Sequence, residues 1–316
     1  MATKRFILFD GHALLFRAYH AMPPFTAPDG RPSGAVYGFA NVLVRVLREL
    51  EPTWLITCFD APGPTFRDAI YADYKGTRAE TPADLITQEP MVKEVLDAFN
   101  VPHVALSGWE ADDLIATLVD QALAEKKVEV DEVIVVTGDR DLLQLSQPKV
   151  LIYLLRNGTK EITLLNEGAV TELIGLPPAQ LLDWKALRGD PSDNISGVPG
   201  VGDKTALSLI QKFTNLERLY TWLSNHETDA KIPNTEYQVS ERIKAALLEN
   251  RERAFQNRDL LTVRVDAPIE LDLAAAHRRH YRQDTAHAAL AKFGFKGILS
   301  RLPATTAGAS QEQLFR

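Results

Sequence analysis

Short apolar runs rich in β-branched residues alternate with stretches of helical periodicity through the first half of this chain. No other feature restricts the fold as much. Residues 5–9, 53–59, 101–106 and 132–137 read as buried strands. Between them, residues 34–50, 83–99 and 110–126 carry apolar side chains three and four apart, with Ser33 and Pro82 as helix starts for the first two. The alternation predicts an α/β fold, a mainly parallel central sheet flanked by helices on both faces. Residues 149–154 and 161–165 flank Asn157-Gly158, a hairpin turn signal. From about Pro178 onward the pattern becomes helical, and 260–265 is the clearest remaining strand candidate. A boundary is expected near Gly175 to Pro178, giving parts at 1–177 and 178–302. Residues 303–316 read as a flexible tail or linker, being rich in Ala, Thr, Ser and Gly.

Carboxylates stand where the strands end. Asp10 follows Phe6-Ile7-Leu8-Phe9, Asp60 follows Ile56-Thr57-Cys58-Phe59, and Asp139 follows Val135-Val136-Thr137-Gly138. Ligands of open α/β sheets bind beyond the carboxyl ends of the strands, so three such acids can converge on one edge. Glu110, Asp112 and Asp113 open a helix, where acids also suit the helix dipole, so capping and ligation stand level there. Asp141 shares a loop with Asp139, and Asp190 and Asp193 share a turn-forming segment; either loop could equally be solvated. Nine acids brought together need compensation, and an all-oxygen set suits hard cations such as Mg²⁺ or Mn²⁺. His and Cys are too few nearby for a zinc site. The chemistry such a cluster serves is two-metal phosphoryl transfer, with ions about 3.5–4 Å apart.

The formal net charge of −7 looks wrong for a nucleic-acid partner. With the nine clustered acids set aside, the remaining carboxylates roughly balance the 35 Lys and Arg, so basic patches are compatible with it. No apolar run approaches the ~20 residues that cross a bilayer. The amino terminus lacks a signal-peptide layout, and Cys58, the only cysteine, lies in an apolar run. The expectation is a cytoplasmic chain with no membrane partner.

Five motifs carry a resemblance. They are Phe9-Asp10-Gly11-His12; residues 59–67, from Phe-Asp-Ala-Pro to Phe-Arg; Gly108-Trp109-Glu110-Ala111-Asp112-Asp113; residues 137–145, beginning Thr-Gly-Asp-Arg-Asp; and Gly189-Asp190-Pro191-Ser192-Asp193-Asn194-Ile195. In order and content they resemble the 5′–3′ exonuclease domain of bacterial DNA polymerase I, within the flap endonuclease family, over roughly residues 4 to 300. The resemblance implies a PIN-like nuclease core with a helical arch at about 66–95 and a helix–hairpin–helix at about 185–212. It also implies Mg²⁺ dependence. Asp10, Asp60, Glu110 and Asp112 would line a tighter metal site with Asp113 close by, and Asp139, Asp141, Asp190 and Asp193 a second. No acidic position departs from the pattern; Ser196 replaces a proline common in the family.

Residues 197–205, Gly-Val-Pro-Gly-Val-Gly-Asp-Lys-Thr, fail as a P-loop because Asp203 separates Gly202 from Lys204 and no strand leads in. They fit a hairpin between helices, with Gly197, Gly200 and Gly202 admitting a phosphate and Lys204 and Thr205 opening the following helix. By resemblance this element grips duplex DNA, often with K⁺. In residues 71–78, Lys75 and Arg78 can neutralise charge near the scissile phosphate, and Tyr74 offers a stacking face. The resemblance places these in the arch and adds Arg17 as a basic group near the site. His12 is expected to order the loop after Asp10 rather than act as a base. The patch at 278–282 reads as a solvated face or a DNA contact.

The leading expectation is a structure-selective 5′ nuclease acting on branched, nicked or flapped DNA in replication and repair, as a monomer, either alone or joined to a polymerase domain. The competitors are a junction-binding module that does not cut and a small-molecule phosphohydrolase. The full set of acids argues against the first. The hairpin and basic arch argue against the second.

Overall fold

The computed structural model describes residues 3–156, 158, 161–225 and 240–303, without the side chain of His280; Asn157 and residues 304–316 of the expected tail lie outside the described residues. Its centre is a six-stranded sheet in the order β3-β2-β1-β4-β5-β6. The strands are β1 Arg5–Asp10, β2 Trp54–Cys58, β3 His103–Val104, β4 Glu132–Thr137, β5 Val150–Arg156 and β6 Glu161–Leu165. All neighbouring pairs are parallel except β5 with β6. The predicted strand at 101–106 contracts to the two residues of β3.

Alternate side chains of each strand face opposite layers, as the two-residue period requires. Ile7, Phe9, Ile134 and Val136 pack with α1 (Gly11–Ala21), α2 (Gly34–Glu49) and α5 (Glu89–Ala98). Phe6, Leu8, Val133 and Val135 pack on the other face with α6 (Ala111–Ala124). Chain order reverses at β1, which has β2 on one side and β4 on the other. The crevice beyond their carboxyl ends is therefore the topological switch point.

Several local expectations change. The helix pattern at 83–99 is broken into α4 (Ala83–Ile86) and α5, because Pro90 near the start of α5 cannot donate back to α4. The short α3 (Phe66–Ile70) precedes them, opened by a Thr65–Asp68 capping box. α2 begins at Gly34, but Ser33 gives no side-chain cap. The Gln88 carboxamide accepts from the amides of Ala35 and Val36 instead, at 2.8 and 3.4 Å.

After α7 (Glu167–Ile174), closed by left-handed Gly175, come α8 (Leu181–Arg188), a two-stranded ribbon of β7 (Gly189–Asp190) with β8 (Ile195–Ser196), α9 (Asp203–Phe213), α10 (Leu216–Asn225), α11 (Glu241–Glu249) and α12 (Arg251–Leu261). These helices share a core of their own, built on Leu187, Val198, Ile210, Leu219 and Leu247. The run 260–265 is not a strand: α12 occupies its start, and the backbone beyond bonds to side chains rather than to a neighbouring strand. Gln144 takes the Leu261 carbonyl and the Val263 amide, and Asp113 takes the Arg264 amide. The chain then returns to the first layer through α13 (Gln283–Lys292) and α14 (Lys296–Leu299), with Tyr281, Leu290 and Phe293 in that core. No helix of the described residues is long and apolar enough to cross a membrane.

Candidate metal and nucleic-acid site

Asp10, Asp60, Asp112 and Asp139 lie around the switch point, and none takes an ion pair from a lysine or arginine among the described residues. Asp60 has only His12 Nδ1, at 3.7 Å. Asp10 ends β1 and is 2% exposed; it accepts from the Thr137 hydroxyl at 2.6 Å and the Ala13 amide at 3.1 Å. Thr137, the last residue of β4, also accepts from the Asp139 backbone amide at 2.9 Å, so one hydroxyl holds the Asp10 carboxylate and the start of the Asp139 loop. Asp60 accepts from the Ala111 amide at 2.7 Å, and Asp139 from the Asp141 amide at 2.8 Å. Burial, with repulsion from Asp139 and Asp60 behind it, pushes Asp10 up to about 7 despite the Thr137 hydrogen bond. Burial and then Asp10, Asp139 and Asp60 hold the Asp112 carboxyl well above the usual range. Asp10 and Asp112 therefore resist ionising together without an added cation.

The other five acids carry counter-charges from the chain. Glu110 takes Lys75 Nζ at 2.6 Å and the Tyr74 hydroxyl at 3.2 Å; Asp193 takes Arg78 at 2.6 Å and the same hydroxyl at 3.2 Å. Buried Lys185 bridges Asp141 and Asp190. The two acids respond in opposite directions. Burial and Asp139 push Asp141 up to about 6 in spite of Lys185, whereas at Asp190 burial is outweighed by Lys185 and two hydrogen bonds from Ser192, and its carboxyl is held low. Among the described residues no group of three or more metal-type side chains is drawn in to ligating geometry. The space between Tyr74, Lys75, Arg78, Glu110, Asp112 and Asp139 is about 30 Å³, room for about one water.

Three residues sit otherwise than the sequence suggests. Asp113 is fully buried and is saturated by Arg67, at 2.7 and 2.8 Å, and by the amides of Glu110 and Arg264, which leaves it no free lone pair directed at the cluster. It forms a structural ion pair. Tyr74 offers no stacking face: it is 7% exposed, packed with Ile195, Leu260 and Leu261. No loop follows Asp10 for His12 to order, because α1 starts at Gly11 with Asp10 as its cap. Arg17 does lie beside the cluster, donating to the Gly138 carbonyl at 2.6 Å.

Gly197, Gly200, Gly202, Lys204 and Thr205 do not line the space between the carboxylates. Gly200 is left-handed (φ 81°), and Gly202 caps α9. At Gly197 a Cβ would stand 2.4 Å from the Arg188 carbonyl oxygen. In the patch at 278–282, Tyr281 is buried against Phe99 and is no surface aromatic.

Thr137, Arg67 and Lys185 escape the sequence reading. The signal for Lys185 is its place four residues after Leu181 on a buried helix face. Arg67 gives none, since its partner lies 46 residues away.

Residues 5–175 match the family described as 5′–3′ exonuclease, N-terminal resolvase-like domain, and residues 176–284 match 5′–3′ exonuclease, C-terminal SAM fold. DNA polymerase I of Bacillus subtilis is 36% identical over 312 residues, 98% of this chain and 33% of the relative. DNA polymerase I of Mycobacterium leprae is 38% identical over 307 residues, 96% of this chain and 32% of the relative. The chain thus spans about a third of the length of these curated relatives. Among solved structures, a phage T5 5′-exonuclease with bound divalent zinc has a TM-score of 0.62 at 21% identity, covering 95% of this chain and 97% of the other. The catalytic core of Rad2 in complex with DNA substrate has a TM-score of 0.57 at 18% identity, covering 92% and 88%. These two likenesses bear on the fold.

Proposed function

The chain belongs to the 5′–3′ exonuclease family, and from that premise we propose a structure-selective 5′ nuclease that hydrolyses DNA phosphodiesters in exonucleolytic and flap-cleaving modes during replication and repair. The observation that carries the proposal is the set of carboxylates at the switch point, Asp10, Asp60, Asp112 and Asp139, with which no lysine or arginine among the described residues forms an ion pair. Their all-oxygen donor set fits Mg²⁺, with Mn²⁺ as a substitute. Asp10, Asp60, Asp112 and Glu110 would hold one ion, and Asp139, Asp141, Asp190 and Asp193 a second. When bound, the pair supplies charge neutralisation, an acidified water and stabilisation of the leaving oxygen.

The remaining work falls to the chain's own groups. Thr137 ties the Asp10 carboxylate to the backbone of Asp139. Lys75 and Arg78 can transfer their charge from Glu110 and Asp193 to the scissile phosphate once the acids are otherwise neutralised. Buried Tyr74 anchors the turn that carries them. Arg17 stands next to Asp139 for the neighbouring phosphate. The exposed amides at the start of α9, with Gly200, Gly202, Lys204 and Thr205, would hold a duplex phosphate by shape rather than sequence, and K⁺ at that hairpin is part of the same reading. A polymerase region joined to this chain is supported by the named relatives. The chain is taken to act as a monomer on nicked or flapped DNA.

The test is cleavage of a 5′-labelled flap DNA in Mg²⁺ and in EDTA. Magnesium-dependent release of a short fragment from near the junction is expected. Intact DNA with the protein still bound would favour a junction-binding module.

A further inference from the structure

The chain that leaves α12 is held from two sides, and each side belongs to an element that carries acids of the site. On one side Arg67 donates to the Leu260 carbonyl at 2.8 Å and the Thr262 carbonyl at 3.1 Å, and Asp113 accepts from the Arg264 amide at 2.8 Å. Asp113 stands in the first turn of α6 beside Asp112, with Glu110 as the cap. On the other side the Gln144 carboxamide donates to the Leu261 carbonyl at 3.2 Å and accepts from the Val263 amide at 3.1 Å. Its nitrogen also donates to the Asp141 carbonyl at 2.9 Å, within the 3₁₀ turn Asp141–Leu145. Residues 260–264 thus give one backbone group each, alternately to one side and the other. Leu260 and Leu261 end α12, where carbonyls have no partner within the helix, so these bonds satisfy groups that need one. Gln144, Leu261 and Val263 also line the small space between the carboxylates, which makes this strap its wall.

Asp112 and Asp139 repel each other from separate elements, and the strap spans those elements without using the acids themselves. We infer that Gln144 is a positioning residue for the metal site: through the strap it holds the loop of Asp139 and Asp141 at a set distance from the first turn of α6. The inference rests on the nuclease reading for the identity of the ligand, a hard divalent cation. A carboxamide suits the place because it donates and accepts at once and adds no charge to an anionic site. Loss of a group that holds metal ligands from behind lowers metal affinity or rate by about 10–100-fold.

Gln121 supplies an internal comparison. Farther along α6, its carboxamide makes the same pair of bonds to a later part of the returning chain, donating to the Ile269 carbonyl and accepting from the Leu271 amide, both at 2.8 Å. The test is Mn²⁺ binding to the DNA-free protein, followed by electron paramagnetic resonance, in the wild type, Gln144→Met and Gln121→Met, with the Tm of each. Both substitutions should lower the Tm to a similar degree. Only Gln144→Met should weaken Mn²⁺ binding, by about ten-fold or more. It should also slow single-turnover cleavage at saturating DNA while leaving the Kd for DNA unchanged. Gln144→Asn keeps a carboxamide that is too short to span the strap; it should show the same loss, and it carries the comparison if Gln144→Met does not fold. Wild-type Mn²⁺ affinity in the Gln144 variants, or an equal loss in Gln121→Met, would overturn the inference and leave the nuclease reading standing. A wild type that neither binds Mn²⁺ nor cleaves flap DNA would sink that reading and the inference with it.

Discussion

Arg67 and Asp113 face each other through two hydrogen bonds, with side chains 3% and 0% exposed. Arg67 also reaches the Leu260 carbonyl at 2.8 Å and the Thr262 carbonyl at 3.1 Å, so one guanidinium ties the first half of the chain to the second. Arg67→Met would strand a buried carboxylate, and a loss of about 3–5 kcal/mol is expected in denaturant unfolding. A loss under about 1 kcal/mol would mean that Asp113 finds another partner or becomes protonated at little cost. Asp10, Asp112 and Asp141 behave in the opposite sense. Their folded-state values are raised, to about 7 for Asp10 and about 6 for Asp141, so the native state holds protons that the unfolded chain has released. Their contribution to metal-free stability is present below about pH 4 and is lost as pH rises through 6 to 7. In EDTA the Tm should therefore be higher at about pH 5 than at about pH 8, and Mg²⁺ should recover much of the difference at the higher pH. A Tm indifferent to pH and to Mg²⁺ would remove the cluster's strain from the account.

At the scale of elements, the turn at 71–78 lies against the acids in a fixed manner. Lys75 is left-handed (φ 54°), its amide bonds the Asp193 carbonyl at 3.0 Å, and its ammonium pairs with Glu110. Lys75→Ala should slow single-turnover cleavage by roughly 10²–10³ while sparing the fold, since the side chain is partly exposed. An unchanged rate would return the turn to a structural role. Between α8 and α9 the limiting contact is backbone on backbone: Gly197→Ala would place a Cβ against Arg188 and force the helices apart. Weaker binding to duplex DNA with undiminished Mg²⁺ binding is the expected outcome in an affinity assay, and full DNA affinity would contradict the hairpin's part. The strands of the first half were legible because two-residue apolar patterns and β-branched runs are local signals. The run at 260–265 carries the same signal and is not a strand, because its hydrogen-bond partners are the side chains of Gln144 and Asp113, which no local pattern announces. Likewise the acids could be found from their places after strands, but which of them Arg67 and Lys185 would neutralise depends on contacts across the fold.

Across the whole molecule, both halves of the chain build the one site. The sheet's carboxyl edge presents Asp10, Asp60 and Asp139, α6 adds Glu110 and Asp112, and the ribbon of β7 and β8 adds Asp190 and Asp193 from the helical half. Residues beyond α12 then bond α6 through Thr117 and Gln121 and rejoin the first layer, so the helical half is clasped at both ends by the core. The cations that pair with the surrounding acids come from the turn and from α8, leaving Asp10, Asp60, Asp112 and Asp139 as the charge an added ion would meet. The measurement that tests this most directly is the single-turnover rate of Asp112→Asn on flap DNA in Mg²⁺, at protein concentrations that saturate the DNA. The substitution keeps the volume and removes the charge. The rate should fall by orders of magnitude with DNA binding retained; a wild-type rate would remove Asp112 from the metal site.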